Sequence, residues 1–212
     1  MTPIEILDHL EQLYPDAWCE LNHKNAYELT IAVLLSAQTT DISVNKVTPL
    51  LFEKYPSVYE LSQASLKDVE NILKTLGLYR NKAKNIITLA KQVIENFDGE
   101  IPDNQTDLVT LAGIGRKSAN VVVSCWYGVP AIAVDTHVSR VSKRLRLAYA
   151  NDDVNVIERK LNRKFPKDRW SKAHHTMIFF GRYQCKAKNP DCLDCPFKSF
   201  CREYPNQKHR FE

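Results

Sequence analysis

The chain has 212 residues, of which 44% are hydrophobic and 25% are charged, a balance that excludes intrinsic disorder and indicates folded domains with a buried core. Its first residues are acidic and lack the basic start and apolar stretch of a secretory signal, and the longest apolar run is interrupted by Gly128 and Pro130. We therefore expect a soluble intracellular protein without a membrane span.

The net charge of +4 is distributed unevenly along the chain. Residues 1–110 contain 9 Lys and Arg against 16 Asp and Glu, a balance of −7, whereas residues 111–212 contain 20 against 9, a balance of +11. Such asymmetry indicates that the second half faces a polyanion, either nucleic acid or a membrane surface. A solvated basic face explains the same counts, so charge alone leaves these interpretations open.

In chain order, the apolar spacing predicts helices almost throughout. Apolar residues recur at intervals of three or four in three segments: Ile4, Leu7, Leu10 and Leu13; then Leu29, Val33 and Leu34; then Ile86, Leu89, Ala90 and Val93. We find no strand-like alternation with hairpin turns, so the sequence predicts an all-α fold.

Helix starts and stops are also visible in the sequence. The predicted starts are Ser65, which forms a capping-box pattern with Asp68, then Asn104 or Thr106, and then Asp152 or Asp153. The predicted stops are Gly77, Gly99 with Pro102, and Gly128 with Pro130. The one natural seam is GVPAI at residues 128–132, and composition does not decide whether it is a domain boundary.

The segment LAGIGRKSANVV (111–122) predicts a tight turn at Gly113 and Gly115, between a short helix at about 106–112 and a longer one at about 116–127. Because glycine tolerates positive φ, successive N–H groups can point the same way and bind an anion at a helix N-terminus. The pattern is not a P-loop. It is typical of a helix-hairpin-helix, which binds the DNA backbone without reading sequence, and a purely structural corner is the alternative.

Lys117 falls in the first turn of the second helix, where the positive end of the helix dipole disfavours an ammonium group. Partial burial would lower the pKa of this amine further, and a partly neutral lysine is a nucleophile able to form a Schiff base. The alternative is a lysine that only contacts phosphate.

Asp135 lies eighteen residues after Lys117 and is the only acid between Asp107 and Asp152. It is expected to be the N-cap of a helix that begins near Thr136. Because basic residues surround it, the carboxylate should stay ionised, and it can then stabilise a cationic centre or accept a proton.

Four of the six cysteines lie close to the C-terminus with the spacing C-x6-C-x2-C-x5-C. In a reducing compartment such a set binds metal rather than forming disulfides. Four thiolates hold either zinc or a [4Fe–4S] cluster, and the spacing leaves the choice open. The predicted metal ligands are Cys185, Cys192, Cys195 and Cys201.

Other residues near and outside this cluster have separate expectations. Lys186 and Lys188, in the wide loop of the cluster, would offer positive charge to DNA phosphates. Cys19 and Cys125 fall in apolar segments and are predicted to be buried core thiols.

Together, LAGIGRKSANVV, then IAVDTH, and then the cysteine spacing resemble the endonuclease III family, the bifunctional DNA glycosylases of the helix-hairpin-helix, Gly-Pro-Asp superfamily. LLSAQTTD (34–41) and GLYRNKAKNI (77–86) extend the resemblance over nearly the whole chain. The adenine glycosylase branch shares the iron-sulfur tail, but it lacks a lysine at the position of Lys117 and carries an acid where this chain reads LLSAQ. One departure is Ala112, where the family usually has a proline that stiffens the turn.

The resemblance implies a fold of two helical domains with DNA in the cleft between them. A six-helix barrel with the helix-hairpin-helix would span 19–129, and an iron-sulfur cluster domain would combine 1–18 with 130–212. The four cysteines would hold a [4Fe–4S] cluster. The expected protein is a cytoplasmic, nucleoid-associated monomer whose partner is double-stranded DNA with damaged bases or abasic sites.

The implied activity is base excision of oxidised pyrimidines followed by strand cleavage through β-elimination. Lys117 would attack the sugar to form a Schiff base, and Asp135 would stabilise the cationic sugar. Gln38 would fill the vacated space and Leu78 would wedge into the duplex, although a helix-end hydrogen bond and a cap contact are their structural alternatives. The full implied set of DNA-binding residues is Gln38, Leu78, Gly113, Gly115, Arg116, His137, Lys186 and Lys188.

Two non-enzymatic alternatives remain at this point. One is a DNA-binding protein with a redox-sensing cluster, in which Lys117 and Asp135 have no chemical role. The other is a zinc-stabilised nucleic-acid-binding module. Iron content separates the second from an iron-sulfur protein, and trapping at Lys117 separates the first from an enzyme.

Overall fold

The structure, a computed structural model, describes residues 1–207. Every regular element in this range is a helix, which confirms the all-α prediction, and none of these helices combines the length and apolarity that a membrane span requires. In chain order they are α1 (Pro3–Leu13), α2 (Ala26–Leu35), α3 (Asp41–Lys54), α4 (Val58–Ser62), α5 (Leu66–Leu73), α6 (Tyr79–Phe97), α7 (Gln105–Leu108), α8 (Arg116–Cys125), α9 (Thr136–Arg144), α10 (Val154–Lys164), α11 (Trp170–Phe179) and α12 (Tyr204–Gln207).

The chain divides into two compact units. The internal unit is Glu20–Val129 and contains α2 to α8. The terminal unit combines Met1–Cys19 with Pro130–Glu212 and contains α1 and α9 to α12.

The internal unit is built around α2, whose residues from Tyr27 to Leu35 are all buried. Asn25 begins this helix by accepting a hydrogen bond from the N–H of Glu28. The long helix α6 packs against α2, α4 and α5, and its predicted apolar stripe from Ile86 to Val93 is buried. Burial of α2 on nearly all sides makes it the fixed element against which the connecting turns are placed.

The terminal unit packs α1 and α9 against α11. In α1 the buried side chains are Ile6, Leu7 and Leu10, whereas Ile4 and Leu13 are 39% and 42% exposed. The buried face is therefore rotated from the predicted stripe, because Ile6 takes a central place that three-and-four spacing from Ile4 does not include. A π-helical turn, Phe180–Gln184, extends α11 and ends at Cys185.

The structure confirms some predicted helix ends and corrects others. Asn104 is the N-cap of α7, and Asp153 is the N-cap of α10. Ser65 precedes α5 but makes no side-chain capping hydrogen bond, so the predicted capping box is wrong. Gly77 lies beyond the last residue of α5, Leu73, so it is not the stop of that helix.

The prediction of core thiols at Cys19 and Cys125 is also wrong, because both are only partly buried. Cys19 lies in the loop after α1, which ends at Leu13, and Cys125 is the last residue of α8. Cys19 therefore lies outside any helix, and Cys125 lies at the end of one.

Candidate functional site

The glycine turn joins α7 to α8 in the internal unit. Gly113 has φ +78°, and a β-carbon there would lie 2.8 Å from Leu34 Cδ1 and 3.1 Å from Asn85 Nδ2. Glycine is therefore required both by the left-handed backbone and by the close packing of the turn on α2 and α6. Both helices are shorter than predicted, since α7 ends at Leu108 and α8 ends at Cys125.

Gly115 has a different role from the one predicted. Its φ of −96° and ψ of 175° are extended values, and a β-carbon there would meet open space, so positive φ is not the reason for this glycine. Gly115 is the N-cap of α8 and supplies no side-chain hydrogen bond. The first-turn N–H groups of a helix lack intrahelical partners, and an anion is the ligand that the helix dipole favours there.

A hydrogen bond from α6 holds the turn at the position of the expected proline. The N–H of Ala112 donates to Gln92 Oε1 at 2.7 Å. A proline has no N–H and cannot make this bond. The departure at Ala112 is thus accompanied by a contact that restrains the same turn.

Lys117 lies in the first turn of α8 and is exposed, as is Arg116 before it. The partial burial considered for Lys117 is not seen, because Gly115, Arg116 and Lys117 are all exposed. The amine is accessible to a ligand that approaches this helix N-terminus.

Gln38 and Leu78 occupy two further turns of the internal unit, and both have left-handed backbones, with φ of +53° and +58°. Such a conformation costs a non-glycine residue about 1–2 kcal/mol. The backbone of Leu78 is the N-cap of α6, whereas the residue is 56% exposed. Strained and exposed residues of this kind are concentrated at functional sites.

The structure brings the three turns together within the internal unit. The Gly113 turn packs against Leu34, near the end of α2, and against Asn85 of α6. A β-carbon at Gly77, next to Leu78, would lie 3.8 Å from the carbonyl oxygen of Gln38. Gln38, Leu78 and the Gly113 turn that precedes Lys117 therefore surround the C-terminal end of α2 and the first half of α6.

Asp135 is the N-cap of α9 in the terminal unit, as predicted. Its Oδ1 accepts a hydrogen bond from the N–H of Val138 at 2.8 Å, and its Oδ2 lies 3.0 Å from His137 Nδ1. The side chains of Asp135 and His137 are 16% and 28% exposed. Both carboxylate oxygens of Asp135 are thus oriented by residues in the first turn of α9. His137 has this orienting role in addition to the predicted contact with DNA.

Two arginines of α9, which no sequence motif indicated, connect this helix to the cysteine segment. Arg140 donates from Nε to the carbonyl of Cys185 at 3.0 Å and from Nη2 to the carbonyl of Gly181 at 2.7 Å. Arg144 donates from Nη1 to the carbonyl of Lys186 at 2.8 Å. Burial lowers the pKa of Arg140. The sequence feature that could have identified these two residues is their four-residue spacing, which places both arginines on one face of α9.

The four predicted metal ligands line a single cavity together with Phe180 and Pro190. Burial raises the pKa of the Cys185 thiol, and it raises that of Cys195 to about 11. Two of the sulfurs already accept N–H hydrogen bonds, Cys185 from Arg144 Nη1 at 3.3 Å and Cys201 from the backbone of Glu203 at 3.4 Å.

The separation of these thiols can be compared with that of a single-ion site. Across residues 1–207, no three Cys, His, Asp or Glu side chains are gathered tightly enough to hold one ion. Four thiols around one cavity, with N–H donors to sulfur, are the ligand set of both zinc and [4Fe–4S] sites. Lys186 and Lys188 are exposed beside this cavity.

Comparison with known proteins shows the family of this chain. The family of HhH-GPD superfamily base excision DNA repair proteins matches residues 31–167. Endonuclease III of Bacillus subtilis (strain 168) is 53% identical over 197 residues, which cover 93% of this chain and 90% of that protein.

Two solved structures are similar over the full length. A trapped endonuclease III–DNA covalent intermediate, in an estranged-adenine complex, has a TM-score of 0.94 and 50% identity and covers 100% of both chains. A non-covalent endonuclease III–DNA complex has a TM-score of 0.95 and 50% identity and covers 99% of both chains. This chain therefore belongs to the endonuclease III family, within the HhH-GPD superfamily of base excision DNA repair proteins.

Proposed function

We propose that this chain removes oxidised pyrimidines of the thymine glycol type from double-stranded DNA and then cleaves the strand at the abasic site through a lysine Schiff base. Its family makes it a DNA glycosylase with lyase activity in base excision repair. Beyond this family activity, we propose the preferred lesion and the residues that act on it.

The observation that carries the proposal is the placement of an exposed Lys117 in the first turn of α8, directly after the Gly113 turn. The N-terminal amides of α8 offer a site for a backbone phosphate. A phosphate bound there would bring the adjoining sugar towards the lysine. Contact with DNA would also remove water from the amine, which supplies the desolvation that the protein alone does not.

The target nucleotide must leave the duplex before reaction, because its sugar and base are shielded in the stack. Leu78 offers an exposed apolar side chain that can wedge between base pairs. Gln38, on the adjacent turn, offers an exposed amide that can occupy the vacated space. We assign to this pair the opening of the duplex.

The chemical steps are assigned to Lys117 and Asp135. Lys117 Nζ attacks C1′ of the flipped nucleotide as the bond to the damaged base breaks, and the departing base takes up a proton. The bound amine then loses a proton, and the C1′–O4′ bond opens with protonation of O4′, which gives the ring-opened Schiff base. A proton then leaves C2′, and the electron pair expels the 3′ phosphate in a β-elimination. The covalent DNA intermediate trapped for a 50% identical endonuclease III supports a covalent route.

Asp135 is proposed to stabilise the positive charge on the sugar and to accept protons during these steps. The hydrogen bonds from Val138 and His137 hold the carboxylate in one orientation, so no reorganisation is needed when charge develops.

We also propose that Cys185, Cys192, Cys195 and Cys201 hold a [4Fe–4S] cluster. The shared cavity and the N–H donors to two sulfurs support this assignment. When bound, such a cluster would cross-link the segment from 185 to 201 and order it. Lys186 and Lys188 would then be presented to DNA phosphate. Arg116 and His137, which lie outside this segment, are the other basic residues proposed to contact DNA.

The assignment of domains follows the same proposal. The internal unit would be the six-helix barrel with the helix-hairpin-helix, and the terminal unit would be the cluster domain. We expect a monomer that acts in the cytoplasm in association with the nucleoid.

The test is a cleavage assay on a 5′-labelled duplex with one thymine glycol, alongside duplexes with uracil or 8-oxoguanine. The expected result is release of the glycol base, seen by mass spectrometry, together with a strand that ends in an unsaturated aldehyde. Base release without strand cleavage would refute the Schiff-base route. Cleavage of only the uracil or 8-oxoguanine duplex would refute the substrate assignment.

A further inference from the structure

Lys82 is a buried cation of the internal unit that the proposed chemistry does not use. It lies in the first turn of α6 and is only 4% exposed. Burial lowers the pKa of its amine, and within residues 1–207 it forms no ion pair with a carboxylate. Because an unpaired buried ammonium costs free energy, stability does not explain its presence.

The position of Lys82 in the helix adds to this cost. The first turn of α6 contains no acidic residue, and its N-cap, Leu78, provides no side-chain hydrogen bond. The positive end of the helix dipole therefore acts on the ammonium without a compensating carboxylate. Any benefit of Lys82 must come from what its ammonium group holds in place.

That group binds the turn that carries Gln38. Lys82 Nζ donates to Thr39 Oγ1 at 2.5 Å, and the N–H of Thr39 donates to the carbonyl of Ser36 at 3.1 Å. Thr39 directly follows Gln38, whose φ is +53°. The ammonium thus fixes the C-terminal side of the strained turn after α2.

The backbone of Lys82 binds the second turn. Its N–H donates to the carbonyl of Leu78 at 3.0 Å, and the φ of Leu78 is +58°. The Gly77 position lies within van der Waals distance of the Gln38 carbonyl. One residue is therefore hydrogen-bonded to both turns, and both turns present exposed side chains.

We propose that Lys82 is a positioning residue that holds Gln38 and Leu78 at a fixed separation, so that both act on the same base pair when the damaged nucleotide leaves the duplex. This inference rests on the proposed function, since it concerns how the duplex is opened. Lys82 acts through Thr39 and does not contact DNA. Its loss should slow base opening and leave the chemistry at Lys117 unaffected.

The test is a double-mutant cycle with two nearly isosteric substitutions. Lys82→Met removes the donor, Thr39→Val removes the acceptor, and Lys91→Met, at an exposed site on the same helix, is the matched control. Each variant is assayed in single turnover on the thymine glycol duplex and on a duplex that already contains an abasic site. Fluorescence of 2-aminopurine beside the lesion reports opening directly.

We expect Lys82→Met and Thr39→Val each to slow base release and 2-aminopurine opening by roughly tenfold, the size of a lost hydrogen bond to a charged group. The double variant should be no slower than either single variant, because both remove one interaction. Lys82→Arg keeps a donor and should recover part of the rate. Strand cleavage at the abasic site should change by less than about threefold, since no base remains to be opened.

Several results would overturn the inference. Duplex opening at the wild-type rate in Lys82→Met would do so. Reductions in rate that multiply in the double variant would also do so. If Thr39→Val opens the duplex at the wild-type rate and Lys82→Met binds DNA with a weaker salt dependence, the results would instead indicate that Lys82 contacts a phosphate directly. If Lys82→Met unfolds at lower urea than Lys91→Met, then Thr39→Val and Lys82→Arg decide the outcome.

The inference and the proposed substrate fail separately. If the wild-type chain releases no thymine glycol but excises another lesion, the substrate assignment is wrong. The same cycle on that lesion then still tests Lys82.

Discussion

The two units position their proposed functional residues by different means. In the internal unit the backbone does so, because Gln38, Leu78 and Gly113 all have left-handed φ values of +53°, +58° and +78°. In the terminal unit side-chain hydrogen bonds do so: Asp135 is held by His137 and the N–H of Val138. A substitution in a turn should therefore change geometry and stability together, whereas a substitution at a hydrogen-bonded side chain can change chemistry alone.

The largest expected effect on activity in the terminal unit is at Asp135. Asparagine caps helices about as well as aspartate, so Asp135→Asn should change the free energy of unfolding by less than about 0.5 kcal/mol. Loss of the carboxylate should slow single-turnover base release by roughly 100-fold or more. Asp135→Ala, which also loses the cap, should in addition be about 1 kcal/mol less stable to urea. Full activity in Asp135→Asn would remove the carboxylate from the mechanism.

The two glycines of the internal unit offer a matched pair that separates backbone strain from access. Gly113→Ala should lower the free energy of unfolding by about 1–3 kcal/mol, because φ is +78° and the new methyl group meets Leu34. Gly115→Ala should cost less than about 1 kcal/mol, since its backbone is extended and the methyl group meets open space.

Binding to an abasic duplex, measured by fluorescence anisotropy, completes this comparison. Gly115→Ala should weaken binding despite its near-normal stability, because the methyl group faces the proposed phosphate site. Equal destabilisation by both substitutions would contradict the distinction between the two glycines.

The outcome for these glycines also shows how far the sequence predicts the site. Helix class and the position of the turn were predictable, since both depend on local spacing and on residues within one segment. The separate roles of Gly113 and Gly115 were not, because the need for Gly113 comes from Leu34 and Asn85, which are distant in sequence. The buried face of α1 was misassigned for a similar reason, since packing against α11 selects Ile6 over Ile4.

In the terminal unit, the sequence predicted the cysteines and Asp135 but not the arginines that join them. Arg140 and Arg144 have acceptors that lie 41 and 42 residues further along the chain, at the carbonyls of Gly181 and Lys186. Carbonyl acceptors have no sequence signature, because every residue provides one. The sequence therefore indicated only a basic helix.

The next effect in size is expected at Arg144, whose guanidinium binds Cys185 Sγ and the carbonyl of Lys186. Arg144→Met should speed the loss of iron and brown colour in the presence of a chelator, because N–H donors to sulfur help to hold thiolate ligands. Arg159→Met, at an exposed site on α10, is the control. Purified protein that contains zinc and no iron would contradict the cluster assignment itself.

The smallest effect is expected where Gln92 binds Ala112 in the internal unit. Gln92→Leu should lower the free energy of unfolding by about 1 kcal/mol, because it leaves the Ala112 N–H without its acceptor. In an Ala112→Pro background, which has no such N–H, the same substitution should cost less. Urea unfolding of the four proteins measures this coupling, and additive losses would show that the hydrogen bond does not restrain the turn.

The measurement that tests the central claim most directly is borohydride trapping at Lys117. The protein is mixed with a thymine glycol duplex and reductant, and the complex is examined on a denaturing gel beside Lys117→Gln. We predict a covalent band for the wild-type chain that maps by peptide mass to Lys117 and is absent from the variant. A band of equal intensity in Lys117→Gln, or no band from iron-loaded wild-type protein that binds the duplex, would contradict the account.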